Sequence, residues 1–215
     1  MIRFGRLGSR SLDTSTRARF DALADAFRAW SNRVATADGI EASVIRRWAH
    51  QQRMDYLGAG SSRAVFGVPE GALKLEWEGG ESSNLTEARV WTQTPEALRP
   101  HLVPVLAHDP GGAWLLMPKV SVTGRGVDHF PPEMRARLER CGLADIYSRA
   151  NLSDDGRVVD YGWLHDPKAW ATCAQPGGEQ KAVNFARWFG KSQVTRSHAA
   201  SGKPKVVYHG SSQGF

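Results

Sequence analysis

Phosphate recognition is the chemistry that the most suggestive spacings in this chain would suit. Gly58-Ala59-Gly60-Ser61-Ser62-Arg63-Ala64-Val65 falls where one short β-like run turns into the next. Glycines let a backbone approach phosphate groups and turn its N–H groups toward them, which makes Gly58, Gly60 and Ser61 candidates. Nine residues after Val65 comes Lys74, inside the apolar run Ala72-Leu73-Lys74-Leu75. A lysine on the inside of a strand costs free energy unless it meets a phosphate or a carboxylate. Glu87, thirteen residues further on, lies in a helical stretch and has the sign to pair with it. Plainer readings stand beside each of these. The glycines suit a tight hairpin, Lys74 can snorkel to water, and Glu87 can be an exposed helix glutamate.

The surrounding pattern predicts an α+β protein. Residues 13–36 carry Phe20, Leu23, Ala24, Phe27, Trp30 and Val34 at helical spacing, with Asp13 or Ser15 as cap. A second helix is expected over 41–53. These stripes read as packing surface or, alternatively, as a docking site for a protein partner through residues 13–53. From residue 56 the pattern becomes that of an antiparallel hairpin. A helix over 84–94, strands over 102–107 and 113–120, and a helix over 131–143 follow. The turn Asp154-Asp155-Gly156 joins two short runs. Residues 171–180 read as a linker, 181–189 as a helix and 205–210 as a terminal strand.

Composition sets outer bounds. The 215 residues are 41% hydrophobic, with a net charge of +6. That composition is globular, and the charge is scattered, so nucleic acid is permitted as a partner but only weakly indicated. Cys141 and Cys173, the only cysteines, have neither zinc spacing nor the density of a disulfide framework. A reducing cytoplasm is the expected location. No run reaches the ~18 apolar residues of a membrane span, and the basic start has no apolar stretch behind it, so no membrane association and no secretory signal are expected.

Gly58-x-Gly60-x-x-Arg63-x-Val65, Lys74, Glu87, a two-strand hinge over 102–120 and Asp160-Tyr161-Gly162 occur in an order that resembles a compact protein-kinase-like domain. The resemblance covers about residues 55–165. It implies ATP and Mg²⁺ as cofactors, with Lys74 on the phosphates and on Glu87, and with Asp160 and Asn151 as metal ligands. Lys119 falls at the hinge. Two departures accompany it. The third glycine of the family's loop is Arg63. If Asn151 is the family's asparagine, the base position five residues earlier holds Ile146, and the aspartate, Asp145, stands one residue too early. Asp145 remains the candidate base only if the loop carries one extra residue.

A second resemblance covers residues 181–215. Phe185-x-x-Trp188-Phe189-Gly190-x-Ser192 and Val206-Val207-Tyr208-His209-Gly210 are similar to the opening of ADP-ribosyltransferase-like domains in phage and mobile-element polyproteins. It implies that His209 would contact NAD if the domain were complete, whereas the sequence ends five residues after Gly210. The expected organisation is therefore a helical segment (1–54), a kinase-like domain (55–168), a linker (169–180) and a truncated transferase-like start (181–215). The expected function is a kinase-like nucleotide-binding module with weak or no phosphotransfer, on a shortened phage polyprotein in the host cytoplasm. The alternatives are a fragment of an NAD-dependent transferase and a non-enzymatic helical interaction module.

Overall fold

Local chemistry starts the first helix. The Asp13 carboxylate accepts hydrogen bonds from the Thr16 amide at 2.8 Å and from the Ser15 and Thr16 hydroxyls. These bonds, the Ser15 hydroxyl first, hold its pKa down at about 2. Helix α1 then runs Thr14–Val34 and α2 runs Ala42–Gln51. The computed structural model describes residues 12–36, 39–77, 82–143, 146, 148–164 and 167–173.

Five antiparallel strands follow: β1 (Asp55–Ala59), β2 (Arg63–Val68), β3 (Gly71–Glu76), β4 (Ala107–His108) and β5 (Trp114–Met117). Their order in the sheet is β1-β2-β3-β5-β4. Helix α3 (Ser83–Gln93) lies in the chain between β3 and β4. The short α4 (Gly126–His129), α5 (Pro132–Arg140) and α6 (Pro167–Cys173) complete an α+β fold.

Strand β3 shows how the layers form. All six of its residues are buried, yet successive side chains point to opposite faces. Leu73 and Leu75 join Phe66, Trp114 and Leu116 in a core closed by Phe20, Phe27, Ile45 and Trp48 of α1 and α2. Phe27 sits at its centre, with ring centroids 4.7 Å from Trp77, 5.0 Å from Trp48 and 5.5 Å from Phe66. Fully burying a side chain of this kind contributes about 1.5–3 kcal/mol. The apolar stripes of α1 and α2 thus pack on the sheet. Lys74 points to the other face, toward α3.

That second face has its own core, built from Ala88, Val90, Leu115, Met117, Leu138, Leu152, Val158, Tyr161 and Trp170. The Asp154–Gly156 turn is built as expected. Gly156 has φ +78°, and a Cβ there would lie 2.7 Å from the His129 carbonyl oxygen.

Three expectations need correction. Strand pairing was expected over 102–107, but only Ala107 and His108 join the sheet. Pro104 has no N–H to give a ladder. Upstream of it, Val103 donates instead to the Val158 carbonyl at 2.9 Å, and Val158 to His101 at 2.9 Å. Residues 171–173 of the expected linker are helical, because α6 extends to Cys173, and the rest of it lies outside the described residues. Last, Cys141 and Cys173 form a disulfide across 32 residues of sequence. They meet because Cys141 ends α5, Cys173 ends α6, and both are buried in the same core. The predicted helix over 181–189 and the terminal strand lie outside the described residues.

Candidate functional site

The site is assembled around Asn84. Ser82 caps α3 by accepting from the Leu85 amide at 3.1 Å. In the first turn Asn84, fully buried, donates to the carbonyls of Lys74 at 3.3 Å and Gly112 at 3.0 Å. Its amide N–H donates to Glu76, and its side-chain oxygen accepts from Arg63 Nη1 at 2.9 Å. These bonds fix the start of α3 against the sheet. Glu87, one turn later, is thereby held over β3.

Glu87 is completely buried. Both its oxygens accept from Lys74 Nζ, at 2.9 and 2.8 Å. Arg63 Nη1 lies 2.8 Å from Oε2, and the Tyr161 amide donates to Oε1 at 3.1 Å. A buried carboxylate is tolerable only with this degree of pairing. The sequence expectation that Lys74 meets Glu87 is realised, and the snorkelling and exposed-glutamate readings are not.

Lys74 carries a third bond, to the Val159 carbonyl at 2.7 Å. An ammonium has three N–H donors, so all three are committed to protein acceptors. Burial pushes the Lys74 pKa down and Arg63 repels its proton, with Glu87 opposing both.

Arg63 is the residue the sequence reading undervalued, taking it for a missing glycine. Its guanidinium is buried and bridges Asn84, Glu87 and Asp160. Of its five N–H donors, two on Nη1 and one on Nη2 serve these acceptors. Burial opposes its charge, but Glu87 and then Asp160 hold it on and raise its pKa. Asp160 has a half-exposed side chain. Burial works to raise its pKa, yet Arg63 and then Lys74 outweigh that and hold it below the ordinary carboxylate value. Gly162 closes the group. A Cβ at that position would lie 2.7 Å from the Ser83 carbonyl oxygen and 3.0 Å from Arg63 Nη2, so only glycine fits. Tyr161 between them is buried and donates its hydroxyl to the Val103 carbonyl at 2.6 Å.

Above this cluster sits the β1–β2 hairpin. Gly60 donates to the Arg63 carbonyl at 2.9 Å. At Gly58 and Gly60 an added Cβ would meet nothing within 4 Å, and neither has a positive φ. Neither packing nor turn geometry therefore accounts for glycine at these two positions. Ser61 and Ser62 make no backbone N–H bond to any described residue.

The remaining candidates divide. Asn151 lies beside the cluster, its carbonyl accepting from the Val159 amide at 2.8 Å. Ile146, at the base position of the family register, is wholly buried in the second core and is no acid or base. Lys119, at the expected hinge, pairs with Asp55 at 3.1 Å on the surface. Asp145 and His209 lie outside the described residues.

At the implied magnesium ligand Asp160, a fixed positive charge already stands beside the carboxylate. Asp160 Oδ1 is taken by Arg63, and Glu87 has no oxygen without a donor. No group of three or more His, Cys, Asp or Glu comes together among the described residues. A divalent cation at Asp160 would sit against a fixed guanidinium charge. The arrangement places a buried arginine beside a hairpin whose Ser61 and Ser62 amides bond no described residue.

No protein-family model matches this chain, and no curated protein matches it. Among the described residues, no helix is long and apolar enough to cross a membrane.

Proposed function

We propose that this protein is a kinase-like nucleotide-binding module in which the lysine–glutamate pair is structural and phosphotransfer is weak or absent. One observation carries the reading. Lys74, Glu87, Arg63 and Asp160 form a single charge cluster, with Arg63 opening the strand after the glycine turn and Glu87 supplied by the helix after the lysine strand. ATP is the proposed ligand. Its phosphates would lie under Gly58–Ser62, meeting Arg63 and the Ser61 and Ser62 amides, and its base would lie toward residues 118–120. Weak catalysis follows from the committed donors of Lys74 and from the burial of Ile146 at the base position.

The cytoplasm is the proposed location, since nucleoside triphosphates are held there. The Cys141–Cys173 disulfide runs against that location, because cytoplasmic thiol buffers keep most cysteines reduced.

Thermal melting with nucleotide tests the reading. A ligand at a hundredfold excess over its Kd stabilises by about 2.7 kcal/mol, which for a chain of this size is a rise in Tm of about 5–10 °C. ATP at millimolar concentration should give such a rise, and adenosine, lacking phosphates, much less. An unchanged Tm with ATP contradicts the proposal.

A further inference from the structure

Arg63 stands where its charge does what a bound cation would otherwise do. It touches Asp160 and Glu87 together and is itself only 5% exposed at the side chain. Three contacts hold it, and one of them, to Asn84, fixes it to the helix that also carries Glu87. A guanidinium cannot be deprotonated in a protein and presents a planar fork suited to phosphate oxygens. Gly162 is the space that admits it: a Cβ there would lie 3.0 and 3.2 Å from the two Nη atoms. The hairpin, the close-packed glycine and the buried carboxylate all fit an arginine.

We infer that Arg63 is the resident cation of this site, so that nucleoside triphosphate binds without a divalent metal. Arg63 neutralises Asp160 and offers its remaining donors to the phosphates. A metal ion on Asp160 Oδ1 would have to displace the guanidinium from that oxygen. This inference rests on the nucleotide-binding reading.

The test is calorimetric titration of ATP into the full chain, once in EDTA and once in magnesium. Binding in EDTA no weaker than in magnesium is the expected result. Binding only in magnesium overturns the inference while leaving the nucleotide reading intact. Binding in neither overturns both. Arg63→Gln sharpens the outcome. Its affinity in EDTA should fall about tenfold or more, the scale of one charge-assisted hydrogen bond. With Asp160 freed, magnesium alone should raise the Tm of the variant and leave that of the wild type unchanged. If Arg63→Gln binds ATP in EDTA as tightly as the wild type does, the inference is wrong. Should the variant fail to fold, the wild-type pair of titrations still decides.

Discussion

The two faces of strand β3 are built on opposite principles. Toward α1 and α2, Leu73 and Leu75 enter a core of packed aromatic rings. Toward α3, Lys74 enters a cluster in which every strong bond is ionic or charge-assisted. The aromatic face gains stability from area and packing, which accumulate over many contacts. On the charged face, net stability is small, because desolvation of each ion cancels much of the attraction. That face is costly to build and specific in shape. The difference separates the two faces: an aromatic core on one side of the sheet, and on the other an apolar core that borders a charged cluster, the proposed place of anion recognition.

Mutations can separate the two. The largest effect is expected at Phe27→Ala. It removes a ring in contact with Trp48, Phe66 and Trp77, and should cost about 3–5 kcal/mol. The melting temperature falls steeply, but ATP should still raise the Tm of whatever remains folded. Loss of that response would mean that the faces are not independent.

Next comes the staple behind the charged face. Reducing the Cys141–Cys173 disulfide should cost about 2–4 kcal/mol, since it closes a long loop. Chemical denaturation with and without a reductant measures it. Identical midpoints would show that the bond adds nothing to the second core.

Lys74→Met is smaller in stability and the sharpest in function. Glu87 keeps Arg63 and the Tyr161 amide, so the cost should be about 1–3 kcal/mol. ATP affinity should stay close to wild type, because the Lys74 donors are spent on protein. A kinase that held phosphate with this lysine would lose binding, and that result would reinstate Lys74 as the phosphate ligand.

The smallest effect is one of pH. The folded pKa of Asp13 lies below the ordinary carboxylate value, at about 2. Its contribution is therefore complete above pH 4 and lost as pH falls through about 2. Circular dichroism should show α1 loosening in that window, and Asp13→Asn should flatten the change. Asp160 has a depressed pKa as well, so its pair with Arg63 also weakens on acidification, with the same sign.

Much of this was legible in the sequence where partners are close along the chain. The stripe of Phe20, Ala24 and Phe27 announced α1, and Lys74 and Glu87, thirteen residues apart on adjacent elements, announced their pair. What stayed hidden joins distant segments. Arg63 meets Asp160 across 97 residues, and no local pattern marks that meeting. One signal was available: a single arginine opening the otherwise apolar strand Ala64-Val65-Phe66, the same anomaly that drew attention to Lys74. The Val103–Val158 pairing and the disulfide were invisible for the same reason. Each depends on how α5, α6 and the Asp154 turn fold back on the sheet.

The most direct measurement is a residue-resolved map of ATP binding by amide chemical shifts. The two-face account predicts the largest changes at Gly60, Ser61, Ser62 and Arg63 and at Tyr161 and Gly162, with α1 and α2 unmoved. Changes centred on α1 and α2, or none at all at saturating ATP, would contradict it.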